Sequence, residues 1–175
     1  MNPHQAHPAS IVAMGQSLRV NRDLFRQLTR RDVAGRYQGS ALGLAWSLVG
    51  PLTMLAIYTF VFSVVFRARL GTGPQESKVD FALVLFAGLI VHGFFAECVN
   101  RAPTLILNNT NLVKKVIFPL EIIPWTSMGS ALFHAAASVV VLLVAELIFH
   151  HSLPWTIVWL PVVIAPLIFT TAGVA

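Results

Sequence analysis

The 175-residue chain is 56% hydrophobic and only 11% charged, with a formal net charge of +5 and a mean hydropathy of +0.74. Soluble domains carry roughly a quarter charged residues, so this composition cannot coat a water-facing fold and excludes a soluble globular enzyme. The basic balance does not indicate nucleic acid either, because every Lys and Arg precedes Val116 and most sit beside apolar runs, the bias of residues retained on the cytosolic side of a membrane. A single cysteine, Cys98, rules out an internal disulfide or a cysteine-rich metal centre.

Residues 1–16 are polar, with Pro3, Pro8, His4 and His7, and read as a mobile cytosolic tail. Over 17–36, Leu18, Val20, Leu24, Phe25 and Leu28 share about 160° of helical arc, with Arg19, Arg22, Arg26 and Arg30 on the opposite side. This pattern predicts an amphipathic helix in the membrane interface, its arginines meeting anionic headgroups. Asp32 and Val33 interrupt the pattern and predict an end near Arg31. Arg31 and Arg36 complete the basic run, and no charged side chain follows from Gln38 to Phe66. Such a junction marks passage from water into lipid.

The first span is predicted over 42–66, reaching about 37 Å against a hydrocarbon core of about 30 Å. Trp46 suits its inner interface, and Pro51 after Gly50 predicts a kink near the start. The loop from Arg67 to Asp80 nearly balances its charges, so the arginine-rich tail outweighs it and the loop is placed outside. A second span is predicted over 81–99 and a cytosolic loop over 100–121. That loop carries Arg101, Lys114 and Lys115, and its centre, NNTNLVKKVIFP, suits a short capped helix. The third span, 122–149, has Pro124 in its first turn and small residues at Ser127, Ala131 and Ala135, which let helices approach closely. A short outer turn leads to a fourth span over 155–175, still apolar at Ala175, so the sequence reads as C-terminally truncated. No cleavable signal peptide is visible, and the first span acts as its own insertion signal. The expected fold class is all-α integral membrane: an N-terminal amphipathic interfacial helix and about four transmembrane helices.

Ionisable residues within spans are functional candidates. Glu97 is placed near the inner end of the second span and Glu146 near the outer end of the third, where both are expected to reach interfacial water. Glu97 is also a candidate seal for the cytosolic mouth of a pathway. His92 and His134 are placed near the midplane, with an interhelical hydrogen bond favoured over a polar route. Tyr58 and Phe62, four residues apart, offer an aromatic strip. The candidate channel lining is Tyr58, Phe62, His92 and Glu97. There is no GK[ST] phosphate loop, His150 and His151 lack further ligands at metal spacing, and no nucleophile, base and acid set stands out. The chain reads as one that moves or holds a substrate.

Two stretches carry a family resemblance. RDVAGRYQGSALGLAWSLVGPL, from Arg31 to Leu52, resembles the approach to the first span of type 2 ABC exporter permeases, and more narrowly of those exporting O-antigen, capsule or teichoic-acid polysaccharides. NNTNLVKKVIFPLEIIPW, from Asn108 to Trp125, is similar to the loop between their second and third spans. The resemblance implies a half-transporter of six spans, a homodimer in the bacterial inner membrane with its N-terminus cytoplasmic, and an undecaprenyl-diphosphate-linked glycan as substrate. It implies a separate ABC ATPase subunit that holds Mg-ATP, with no cofactor in this chain. Asn109, Asn111, Leu112, Val113, Lys114, Lys115, Phe118 and Pro119 would form the loop that couples to the ATPase. Arg19, Arg22, Arg26, Arg30, Arg31, Arg36 and Trp46 would be interfacial. The alternatives are a related permease for a drug or small lipid, or an ATP-independent small carrier. The latter wants a midplane carboxylate in the first span, where 42–66 has none.

Overall fold

In a computed structural model of the chain, the described residues are 21–66, 78–108, 122–151, 155 and 159–174. The elements are α1 (Arg22–Tyr37), a 3-10 turn (Gly43–Ala45), α2 (Trp46–Phe60), a π segment (Val61–Val65), α3 (Lys78–Arg101), a 3-10 turn (Ala102–Thr104), α4 (Leu105–Asn108), α5 (Ile122–His150) and α6 (Leu160–Val174). Three helical stretches, Gly43–Val65, Val79–Thr104 and Ile122–His150, are long and apolar enough to cross a membrane. The chain is an all-α integral membrane protein, as the composition demands.

α5 is the central element and packs against α1, α2, α3 and α6. In lipid the apolar tails compete equally for apolar side chains, so helices associate where small residues allow close backbone approach. Ser127, Ser130 and Ala131 of α5 are accordingly buried. Two apolar clusters follow. Leu55 of α2 meets Leu83 and Phe86 of α3 and Val141 and Ala145 of α5. Towards the α1 end, Phe94 and Cys98 of α3 meet Met128 and Ala131 of α5, with Leu167, Ile168 and Ala172 of α6 alongside. α2 is far less enclosed, with only Ser47 and Leu55 buried. It runs through Pro51 as one continuous helix before loosening into the π segment.

Two boundaries differ from the sequence reading. α1 does not stop near Arg31 but runs to Tyr37, and Val33, read as a break in the amphipathic pattern, is buried. The break marked a change of partner, from lipid to protein, and not the end of the helix. α3 extends beyond 81–99 at both ends, with Asp80 in its first turn and Arg101 in its last, where each complements the helix dipole. The fourth span predicted over 155–175 lies partly outside the described residues, and within it Leu160–Val174 form the 15-residue apolar α6.

α1 lies across the bundle. From Phe25 to Arg36 it advances about 16 Å, while its partner positions on α5, from Gly129 to His134, advance only about 8 Å. The crossing is close: a Cβ built on Gly129 would lie 2.9 Å from the Phe25 ring and 3.0 Å from the Thr29 hydroxyl. After Tyr37 the chain turns at Gly39, whose φ of 85° is open to glycine and strained for other residues. The Ser40 hydroxyl caps this elbow by donating to the Tyr37 carbonyl at 2.9 Å.

Candidate functional site

The oblique docking of α1 brings four charges and one imidazole together at one end of the bundle. Arg101 of α3 donates from both terminal nitrogens to the Asp32 carboxylate of α1, at 3.0 and 3.3 Å. Arg36, one turn further along α1, pairs with Glu97, one turn back along α3. Both Glu97 oxygens lie 3.1 Å from Nδ1 of His134 on α5. A carboxylate accepts only from a protonated nitrogen, so this arrangement selects the Nδ1–H tautomer. Arg36 approaches the same nitrogen at 3.3 Å, a contact and not a bond, since Nδ1–H cannot also accept. His134 Nε2 is buried without a hydrogen-bond partner among the described residues, and the Tyr37 ring stands edge-on to the imidazole at 6.1 Å. Burial pushes the Asp32 carboxyl upward, but Arg101, with Arg36 behind it, more than offsets this and holds it below the usual carboxylate range.

From this cluster a groove of about 330 Å³ runs between α2, α3 and α5. Glu97 and His134 line it, with Tyr58, Pro51, Phe86 and Ser138 among its other walls. Tyr58 begins an aromatic row that Phe62 and Phe66 continue at centroid separations of 6.3 and 5.6 Å, while Phe81 of α3 meets Phe62 at 5.1 Å. Three of the four candidate lining residues are therefore brought to one groove and its continuation: Glu97, Tyr58 and Phe62. His92 is not. It lies on the exposed face of α3 and is absent from the groove wall, being placed elsewhere around the helix than Glu97 and Phe86. A second groove, of about 510 Å³ between α3, α5 and α6, is apolar except for Glu146 and Trp159.

Glu97 and His134, read from sequence at different depths, touch. α3 and α5 pack in a register that sets position 134 level with 97. The interhelical hydrogen bond expected of His134 is present. Glu146 does not simply reach water: His150 sits between Glu146 at 3.3 Å and Asp80 at 2.9 Å, tying the far ends of α3 and α5. Arg22, Arg26, Arg30 and Arg31 are exposed on α1, and Trp46 is exposed at the start of α2. Arg19 lies outside the described residues, as do Asn109, Asn111, Leu112, Val113, Lys114, Lys115, Phe118 and Pro119. Asp32 and Arg101 were missed as site residues. Their signal was spacing: Asp32 with Arg36 and Glu97 with Arg101 are both oppositely charged pairs four residues apart.

Comparison with known proteins adds a family and relatives. The family described as ABC-2 type transporter matches residues 23–175. An O-antigen export system permease protein RfbA from Myxococcus xanthus is 28% identical over 152 residues, covering 86% of this chain and 55% of the relative. Two proteins of the same name from Klebsiella pneumoniae are 28% and 26% identical over 156 residues, each match covering 87% of this chain and 56% of the relative. The chain thus spans about half the length of the curated relatives it matches.

Proposed function

This chain belongs to the ABC-2 type transporter family, and we propose that it is the permease subunit of an ATP-driven exporter of lipid-linked polysaccharide, of the O-antigen or capsule type. The observation that carries this reading is the similarity, along nearly the whole of this chain, to three proteins named as O-antigen export permeases. The α1 end faces the cytosol of a cell with an inner membrane, on the side favoured by its arginines. A separate ABC ATPase binds Mg-ATP and presses on the loop at Asn109–Pro119, through Asn109, Asn111, Leu112, Val113, Lys114, Lys115, Phe118 and Pro119. Two copies of the permease assemble as a homodimer, and the substrate is a glycan on an undecaprenyl diphosphate carrier.

The groove supports the reading through its chemistry. Aromatic faces stack on the C–H surfaces of sugar rings, and the row Tyr58, Phe62 and Phe66 continues from a groove that starts at Glu97. A small apolar drug would need no such polar start. The test uses the full-length permease with its ATPase in a strain lacking its own exporter. Lys114→Glu with Lys115→Glu is expected to uncouple ATP hydrolysis from export, and Tyr58→Ala with Phe62→Ala to reduce export of long glycans at unchanged permease abundance. Full export by the aromatic double variant removes the channel assignment, and full coupling in the lysine variant removes the loop assignment.

A further inference from the structure

The four charges at the α1 end have a property that no single pair would give. Asp32 and Arg36 lie one turn apart on α1, and Glu97 and Arg101 lie one turn apart on α3. In this structure the pairs run between helices, Asp32 with Arg101 and Arg36 with Glu97. Each helix also carries its own opposite charge at the i,i+4 spacing, with the acid on the N-terminal side, the better orientation for such a pair. Arg101 already stands 3.9 Å from Glu97 while bound to Asp32.

We infer that this quartet is a partner-exchange latch: α1 leaves α3 by trading the two interhelical ion pairs for two intrahelical ones, Asp32 with Arg36 and Glu97 with Arg101. An ordinary interhelical pair resists separation because each partner is left charged and unpaired in a poorly solvated place. Here every leaving group has a new partner within one turn. The docked state is held, yet its release strands no charge. Because Glu97 and His134 line the groove, lifting α1 uncovers the end of that groove. The latch gives the groove a closed state and an open one of similar electrostatic energy, a requirement for any two-state gate. His134 stays with Glu97 in either pairing, and Gly129, against Phe25 and Thr29, is the apolar contact that must also part.

The use of the latch as a gate rests on the proposed transport function, but its exchange is read without transport, so the two can fail separately. The probe is a thiol on the docked face of α1: Val33→Cys, since Val33 is buried, in a Cys98→Ala background of the full-length protein in lipid nanodiscs. The rate of maleimide labelling reports how often α1 lifts. Asp32→Arg with Arg101→Glu leaves Glu97 on His134 and keeps both interhelical pairs attractive but sets like charges at i,i+4 on each helix, so the exchanged state is lost. Labelling is expected to slow about tenfold, from two pairs each turned from attraction to repulsion. Reversing all four charges (Asp32→Arg, Arg36→Asp, Glu97→Arg, Arg101→Glu), with His134→Gln so that the guanidinium placed at position 97 meets an acceptor there, restores exchange and should bring the rate back to within about threefold of the parent. A double variant that labels as fast as the parent, or faster, shows a plain brace and overturns the inference. So does a fourfold variant that stays slow.

Discussion

The two ends of the α3–α5 pair are tied by different chemistry. At the α1 end, two arginines and two carboxylates balance one another, and three elements meet through Asp32, Arg36, Glu97, Arg101 and His134. At the far end one imidazole, His150, bridges Asp80 of α3 and Glu146 of α5. A guanidinium keeps its charge at any working pH and presents several donors at once, whereas an imidazole has two nitrogens and can lose its charge. The α1 end is therefore a junction whose pairing can be rearranged while its charges stay in place near neutral pH. Between the two ends the helices pack through apolar side chains, Leu83, Phe86 and Phe94 of α3 against Ala131, Val141 and Ala145 of α5.

This contrast can be broken most severely at Glu97. Glu97→Ala strands Arg36 and His134 together and should cost about 3 kcal/mol, seen as a fall in the thermal unfolding midpoint of the protein in nanodiscs. A smaller loss, of about 2 kcal/mol, is expected from Gly129→Leu, because even a Cβ there already collides with Phe25. Gly129→Leu should detach α1 while leaving the far end intact, which faster labelling at Val33→Cys would reveal. His150→Ala should cost about 1 kcal/mol or less and leave α1 docking unchanged. If it loosens α1, the two ends are not independent.

The subtlest test is acid. The Asp32 carboxyl is held below the ordinary carboxylate value, so its contribution is fully present above a pH of about 4 and disappears as the pH falls through the lowered value. The difference in α1 docking between the parent and Asp32→Asn should be constant from neutral pH down to about 5 and vanish in stronger acid. A difference that fades between pH 7 and 5 would assign the effect to another group.

How much of this was legible in the sequence depends on whether a feature is local. The number and place of the three long spans follow from unbroken apolar runs, and Tyr58 with Phe62 follows from helical spacing. The amphipathic character of α1 was legible, but the identity of what covers its apolar stripe was not. Periodicity reveals a face and says nothing about the Gly129 position, some hundred residues later in the chain, that receives it. Asp32 and Val33 looked like the end of a membrane-facing pattern because Asp32 pairs with Arg101 and Val33 is buried within the protein. That Glu97 and His134 share one level was not legible, because the register of two neighbouring helices is set by their packing and not by either sequence alone.

The elbow at Gly39 has a mechanical consequence. α1, with 16 residues, is a rod about 24 Å long, and only a short link, Gln38 to Leu42, separates it from the first turn before α2. A rotation of about 10° at that link would carry the far end of the rod through about 4 Å, most of the width of one helical turn. Small backbone torsions at a single glycine are thus geared up into a displacement large enough to change which side chains can touch. A residue with a Cβ at Gly39 would meet no neighbouring atom but would strain the pivot itself, so its effect would be felt along the rod and not at the elbow alone.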